Sequence, residues 1–161
     1  MTPLLVALYV ILLDQASKEW VRGAFSLHES VPLIPGFFNL TYIRNTGAAW
    51  GMFSNHTWAL SLLALVMLVL LIVFRRKIMP PGMLNRVALG LLCGGIVGNL
   101  LDRLRLDYVT DYLDVYVGSW HWPAFNIADS AICIGVGLYV LGTLLAKPPK
   151  AADQSTDLPS P

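Results

Sequence analysis

Residues 58–74 read WALSLLALVMLVLLIVF, a run without a charged side chain and with Ser61 as its one polar residue. A helix needs about 20 mostly apolar residues to cross a bilayer, so this run predicts a transmembrane helix. The composition of the 161-residue chain agrees, because 56% of it is hydrophobic and only 13% is charged. Ordinary soluble domains are about 25% charged. The net charge of +1 also excludes a polybasic surface for nucleic acid.

Three further stretches are apolar enough to form spans, at residues 4–21, 87–101 and 127–146. We therefore predict an all-α membrane protein with four transmembrane helices, folded as a single domain over residues 1–146. The first span lacks the basic start and the cleavage site of a signal peptide, so we expect it to be a retained anchor. We expect the polar residues 147–161 to form a disordered cytoplasmic tail.

The distribution of charge predicts the orientation of these spans. Four basic residues lie in the short loop 75–86, and Lys147 and Lys150 follow the last span. Short cytoplasmic loops are enriched in Lys and Arg, so we place this face and both termini in the cytoplasm. Eight of the ten acidic residues then fall at the outer side: Asp14, Glu19, Glu29, Asp102, Asp107, Asp111, Asp114 and Asp129. This concentration of acids predicts a working site at the outer rim.

Two loops face outward in this arrangement, at residues 23–56 and 104–125. The first alternates aromatic and β-branched residues with turn formers over residues 31–43, which predicts short strands. The second carries several Tyr and Trp residues, which are favoured at the membrane–water interface. We expect both loops to form a small β-rich extracytoplasmic subdomain that lies on the outer leaflet.

Ionisable residues inside spans are costly and are normally retained for packing or for chemistry. Asp14 and Lys18 are four residues apart, so they either form a structural ion pair or contribute directly to a site. Asn99 and Arg103 share a helix face at the outer end of the third span, where they can clamp a peptide backbone or a carboxylate. Gly90, Gly94 and Gly98 repeat every four residues before them and predict close helix packing.

Asn126 and Asp129 mark the outer start of the fourth span, where Asn126 can cap the helix. Asp129 precedes an apolar run, so its carboxylate is expected to be partly desolvated. Two carboxyls that share one proton and one water can hydrolyse an amide, one as base and the other as acid. The residues alone leave four candidate partners open: Asp102, Asp107, Asp111 and Asp114.

Other site chemistries fit the sequence less well. It contains neither a Gly-x-Ser-x-Gly elbow nor a His-Glu-x-x-His zinc helix. The three His residues show no ligand spacing, so we expect no metal site. Cys93 and Cys133 lie within spans and are interpreted as small core residues.

Five sequence pieces in order resemble the bacterial lipoprotein signal peptidases, also called signal peptidase II. They are DQASK at residues 14–18, RNTGAAW at 44–50, GGIVGNLLDR at 94–103, VTDY at 109–112 and FNIADSA at 125–131. Together they extend over nearly all of the chain except the tail. Thr110 and Tyr112 stand where the family often has Val and Phe, and neither change affects a charged position.

The resemblance implies an intramembrane aspartic endopeptidase of the bacterial inner membrane, with its active site near the outer, periplasmic leaflet. It implies Asp111 and Asp129 as the catalytic pair. The implied substrate is a diacylglyceryl-modified prolipoprotein, which is cut just before its lipidated Cys. The positions implied for substrate contact are Asn45, Asn99, Arg103 and Asn126, with Asp14 and Lys18 in support. Membrane lipid is the other expected partner, no cofactor is needed, and we expect a monomer.

Two other classes of protein fit the sequence less well than a peptidase. A small proton-coupled transporter would place its acids near the bilayer midplane, whereas these acids gather at one rim. A membrane scaffold would use the glycine face for dimerisation, but it leaves Asp111, Asp129, Asn99 and Arg103 without a role.

Overall fold

The computed structural model describes residues 1–47, 52–53 and 56–146. These residues form a mostly helical chain with one small antiparallel sheet. The elements are α1 (Thr2–Ala24), β1 (Ser30–Ile34), β2 (Phe38–Asn45), α2 (Thr57–Ile78), α3 (Met83–Leu106), β3 (Val109–Val117), β4 (Trp120–His121) and α4 (Ile127–Leu144). The predicted tail, residues 147–161, and the AAW end of the second motif, residues 48–50, lie outside the described residues.

Three of the described helices, α2, α3 and α4, are long and apolar enough to cross a membrane. The helices α1, α2 and α3 extend beyond the predicted apolar runs at both ends, whereas α4 ends two residues early, at Leu144. Charged residues do not stop α1, because Asp14 and Lys18 find buried partners along its inner face. Helix α3 continues through Arg103 to Leu106, and its C-cap, Asp107, has the left-handed conformation.

Small residues on α3 and α4 bring the helices into close contact, as the glycine repeat predicts. Gly94 lies against Val10 and the Ala7 carbonyl of α1, and Gly98 lies against the Asp14 carboxylate. The contacts advance together along both helices, so α1 and α3 run in the same direction. On α4, Gly135 packs against Ala88 and Gly142 packs against Asn85, so α4 runs opposite to α3.

The four strands lie in the order β1-β2-β3-β4, and every neighbouring pair is antiparallel. The predicted strands of the first outward loop are therefore confirmed, and the second loop contributes β3 and β4. Tyr42 of β2 and Tyr112 of β3 pack with Val21 of α1 into a small buried core. This core fixes the sheet to the C-terminal end of α1.

A buried ion cluster joins the helices to the sheet. The Lys18 ammonium lies 2.8 Å from Asp14 Oδ2 and 3.3 Å from Asp102 Oδ2, and all three side chains are fully buried. Asp102 Oδ2 also accepts a hydrogen bond from the backbone N–H of Thr110, at 3.0 Å. Asp14 Oδ1 accepts one from the N–H of Ala128, at 2.9 Å. One lysine therefore holds two carboxylates that fix the start of β3 and the start of α4.

Substituting Gly95 by Ala is expected to destabilise the helix bundle. A Cβ at this position meets the backbone carbonyl of Ala128 and lies 2.7 Å from Ile132 Cγ1. A backbone carbonyl cannot rotate away, so overpacking of this kind costs about 1–3 kcal/mol. The apparent melting temperature in detergent should fall for Gly95→Ala. Gly137→Ala is the matched control, since its Cβ meets nothing described within 4 Å; equal melting temperatures would contradict the packing account.

Asp102→Asn is expected to lower the free energy of unfolding by about 3 kcal/mol or more. It removes one of the two carboxylates that compensate the buried ammonium of Lys18. The measurement is thermal unfolding of the purified protein in detergent. Glu19→Gln removes a carboxylate of the same kind from the exposed Glu19–Arg22 pair, and its melting temperature should match the wild type. If both variants melt alike, the buried cluster does not hold the fold.

Candidate active site

A cavity of about 570 Å³ opens where the C-terminal end of α3 and the N-terminal end of α4 meet the sheet. Its described lining brings together Asn45 of β2, Asp111 of β3, Asn99 and Arg103 of α3, and Asp129 of α4. Sequence positions separated by up to 84 residues thus converge on one space. The rest of the lining is largely apolar and comes from all three of α2, α3 and α4, from the segment that precedes α4, and from Gly47 and Val109.

Asp111 is the third residue of β3 and is 2% exposed. Its two oxygens accept hydrogen bonds from different asparagines, Asn126 Nδ2 at 2.7 Å and Asn45 Nδ2 at 2.9 Å. Burial, and then the charge of Asp129, raise the pKa of Asp111 to about 7, although both amide hydrogen bonds favour its ionised form. Near neutral pH this carboxyl can therefore hold a proton or release it.

Asp129 lies in the first turn of α4, where it forms a capping box with Asn126. The Asn126 side chain accepts from the Asp129 N–H at 3.0 Å, and Asp129 Oδ2 accepts from the Asn126 N–H at 3.2 Å. The predicted N-cap at Asn126 is thereby confirmed. The other oxygen, Oδ1, accepts from Asn99 Nδ2 at 2.7 Å, so the carboxylate is held from both α3 and α4.

Asn126 is the residue that connects the two carboxyl groups. Its side chain donates to Asp111 while its backbone donates to Asp129, and it is fully buried. The side-chain nitrogen of Asn126, Nδ2, also lies 3.2 Å from Asn99 Oδ1. A single asparagine therefore sets the relative positions of a β-strand carboxyl and a helix carboxyl.

Arg103 supplies positive charge to the cavity. Its Nη2 donates to the Gly47 carbonyl at 3.4 Å, and within the described residues its buried Nε has no hydrogen-bond partner. Asn45 is positioned by a turn in which its Oδ1 accepts from the Gly47 N–H at 2.9 Å. Both side chains retain the capacity to bind a peptide backbone placed in the cavity.

Asp14 and Lys18 lie behind the cavity, and neither is among its described lining residues. The interpretation of the pair as a buried structural ion pair is confirmed by the 2.8 Å contact between their charged groups. Lys18 also donates to Asn99 Oδ1 at 2.9 Å, and Asn99 in turn donates to Asp129. The ammonium is therefore one side chain removed from the cavity.

The remaining candidate partners lie elsewhere. Asp107 is exposed and ends α3 with φ 62°. Asp114 is 8% exposed and accepts from Asn39 and from His121. Asp102 belongs to the ion cluster, and neither the spacing nor the resemblance indicated its contact with the Thr110 N–H. Its signal in the sequence is a charge that follows the glycine face of an apolar helix.

This geometry suits proton exchange between two carboxyl groups and a water between them. One carboxyl is expected to be neutral and the other ionised, because two neighbouring carboxyls that are largely withdrawn from water cannot both carry a charge cheaply. Among the described residues, no cluster of three or more His, Cys, Asp or Glu side chains has the arrangement of a metal site.

The chain is similar to known proteins over most of its length. The family model described as Signal peptidase (SPase) II matches residues 6–145. A lipoprotein signal peptidase of Syntrophotalea carbinolica is 44% identical over 141 residues, covering 86% of this chain and 88% of that protein. The enzyme of the same name from Shewanella pealeana is 46% identical over 147 residues, covering 88% of this chain and 85% of that protein.

Two solved structures share the fold. A bacterial membrane enzyme determined by the in meso method at 2.3 Å resolution aligns with a TM-score of 0.82 and 31% identity, covering 98% of this chain and 94% of that one. A second bacterial membrane enzyme, at 1.9 Å resolution, aligns with a TM-score of 0.80 and 34% identity, covering 91% of this chain and 94% of that one. The family match and the relatives extend over most of the sequence, and this chain belongs to the signal peptidase II family.

Proposed function

We propose that this protein removes the signal peptides of lipidated prolipoproteins, with Asp111 and Asp129 as an aspartic catalytic pair. The observation that carries the proposal is the convergence of these two carboxyls on one cavity, joined by Asn126. The bond cleaved is the peptide bond just before the Cys that carries a thioether-linked diacylglycerol. Membership of the signal peptidase II family supports this choice of substrate.

The first chemical step adds water to the scissile carbonyl. Ionised Asp129 takes a proton from the water, whose oxygen bonds to the carbonyl carbon. Neutral Asp111 donates its proton to the carbonyl oxygen, which gives a tetrahedral diol. This assignment is supported by the raised pKa of Asp111, which keeps a proton on that carboxyl near neutral pH.

The second step breaks the carbon–nitrogen bond. The proton now on Asp129 passes to the departing nitrogen, and a hydroxyl of the diol returns a proton to Asp111 as the carbonyl reforms. The products are a signal peptide with a new carboxyl end and a lipoprotein with a free amino group on its lipidated Cys. Both aspartates regain their starting protonation states, so the cycle needs no cofactor.

The residues around the pair hold the substrate and the catalytic groups in place. Asn45, Asn99 and Arg103 line the cavity and present amide and guanidinium donors to a peptide backbone. Asn126 holds both aspartates, and Asp14 and Lys18 support them from behind. Fixed donors of this kind lower a barrier because they need not reorganise as charge develops.

We propose that the protein crosses the membrane four times, with α1 as a span in addition to α2, α3 and α4. At 23 residues, α1 is about 35 Å long. Its outward side is apolar and exposed, as at Leu4, Leu8 and Leu12, which suits contact with lipid. Within the described residues, α2 buries none of its side chains, and a helix that is apolar all round suits a bilayer.

The proposed topology has both termini in the cytoplasm and the sheet on the outer leaflet of the bacterial inner membrane. The basic residues at the end of α2, Arg75, Arg76 and Lys77, then face the cytoplasm. The catalytic pair lies at the opposite end of the bundle, in the first turn of α4 and in β3. We propose that residues 1–146 form one domain and that the enzyme acts as a monomer. A proton-coupled transporter is not favoured, because the acids lie at this rim and the family is a peptidase family.

Replacing either catalytic aspartate by asparagine should reduce cleavage about a thousandfold or more, since each loses half of the proton exchange. The measurement is the rate at which purified protein in detergent cleaves a diacylglyceryl-modified lipobox peptide. Both variants should retain the wild-type melting temperature.

The matched control is Asp107→Asn, an exposed aspartate in the left-handed conformation that asparagine also adopts readily. It should cleave at the wild-type rate. If folded Asp111→Asn or Asp129→Asn cleaves at a rate near that of Asp107→Asn, the assignment of that aspartate as catalytic is wrong.

The pH dependence should follow the raised pKa of Asp111. Cleavage requires a proton on this carboxyl, so kcat should fall as pH rises through about 7. The Asn45 amide favours the ionised form, and removing it in Asn45→Ala raises the pKa of Asp111 further. The alkaline fall in kcat should therefore move to higher pH in Asn45→Ala and stay in place in Asp107→Asn. A shift to lower pH would show that Asp111 does not supply the proton.

A further inference from the structure

The segment that precedes α4 forms one wall of the cavity. Trp122, Pro123, Ala124 and Phe125 all contribute to the described lining, and we call residues 122–125 the wall segment. No other run of four consecutive described residues lines the cavity in this way. The position of the wall segment therefore sets the width of the space that faces the two aspartates.

The C-terminal end of the wall segment, Phe125, is attached to β3, an inner strand of the sheet. Phe125 pairs with Leu113 in an isolated antiparallel bridge. The Leu113 N–H donates to the Phe125 carbonyl at 2.8 Å, and the Phe125 N–H donates back at 3.1 Å. Phe125 is followed directly by Asn126, which hydrogen-bonds to both proposed catalytic aspartates.

The N-terminal end of the wall segment, Trp122, directly follows β4, which is itself a short strand. Strand β4 has only two residues, and its register with β3 consists of Tyr116↔His121 and Val117↔Trp120. One further backbone hydrogen bond joins Trp122 N–H to the Val115 carbonyl, at 2.9 Å. A two-residue strand is a weak anchor, so side-chain contacts have a large share in fixing it.

Those contacts meet at Asp114. Its Oδ1 lies 2.8 Å from His121 Nδ1, and its Oδ2 accepts from Asn39 Nδ2 at 2.9 Å. An ionised carboxylate only accepts, so Nδ1 carries the proton. Asn39 is on β2 and His121 is on β4, and we call the set Asn39, Asp114 and His121 the Asp114 bridge. It connects β4 to β2 across β3 through a carboxylate whose side chain is 11% exposed.

A ring contact adds to the same attachment. The His121 imidazole stacks on the Tyr116 ring with centroids 4.9 Å apart and an interplanar angle of 9°. This stack fixes the plane of the imidazole and with it the direction of the Nδ1–H bond. His121 is therefore held by two neighbours although its side chain is 51% exposed.

We propose that the Asp114 bridge positions the wall segment and thereby sets how tightly the enzyme binds the chain around the scissile bond. This inference rests on the proposed function. Asn39, Asp114 and His121 are positioning residues, since none of them is among the described residues that line the cavity. The lipidated prolipoprotein contacts the wall segment, and the bridge determines where that wall lies.

The expected signature is a change in KM with kcat retained. The catalytic pair is held by Asn45, Asn99 and Asn126 and by the ion cluster, none of which belongs to the bridge. A displaced wall weakens binding of substrate and transition state equally, which raises KM alone. A variant that only loosens the whole fold would lower kcat and the melting temperature together.

The test uses His121→Phe, which keeps a ring over Tyr116 but removes the donor to Asp114. With a diacylglyceryl-modified lipobox peptide and full-length protein in detergent, KM should rise about three- to tenfold, the effect of one lost hydrogen bond. Asn39→Ala and Asp114→Asn, which disturb the same bridge from β2 and β3, should raise KM similarly. The kcat of all three variants should stay within about twofold of the wild type.

Three further variants make the result specific. In His121→Asn the side-chain amide can occupy the place of Nδ1–H, so KM should return towards the wild type. Val117→Ala changes an exposed side chain in the same hairpin without touching the bridge, and its KM should not change. The double variant Asn39→Ala with His121→Phe should be no worse than about the poorer single variant, because both act through one carboxylate.

The outcomes separate this inference from the proposed function. If wild type fails to cleave the lipidated peptide, the proposed function fails. If wild type cleaves and folded His121→Phe and Asn39→Ala keep its KM, the bridge does not position the wall. A fall in kcat equal to the fall in kcat/KM, or failure of His121→Asn to restore KM, would equally overturn the inference.

Discussion

The arrangement of the active site depends on one buried ammonium group. Lys18 holds the carboxylates of Asp14 and Asp102 at 2.8 and 3.3 Å, and these accept the backbone N–H groups of Ala128 and Thr110. Each of those residues comes immediately before a proposed catalytic aspartate. Burying such charges is costly, and in this protein the cost is offset by fixing two chain segments to the same point.

The glycine face makes that cluster possible. Gly94 and Gly98 let α1 approach α3 closely enough for Lys18 to reach Asp102 and Asn99. The helices supply rigid positions, and the sheet supplies the carboxyl of Asp111 on a strand fixed at its start. Asn126 then completes the geometry with one side chain and one backbone N–H. Helix packing, ion pairing and the positions of the two proposed catalytic carboxyls therefore depend on the same few contacts.

The sequence predicts the helices well because apolar runs and glycine spacing are local properties, although helix ends extend beyond the runs where charged residues find partners. It also predicts the Asn126 cap and the Asp14–Lys18 pair. It could not choose the partner of Asp129 by spacing, and the resemblance alone indicated Asp111. The contact of Asp102 with Thr110 and the Asp114 bridge depend on strand register across the sheet, which has no signature in a single sequence.

The most direct test of the central claim is to identify the bond that the purified enzyme cleaves. Mass spectrometry of a lipobox peptide, with and without the diacylglyceryl group, gives the masses of both products. The account predicts one cut, immediately before the lipidated Cys, and no cut in the unlipidated peptide. Cleavage at another bond, or of both peptides alike, would contradict a site built to cut lipidated prolipoproteins.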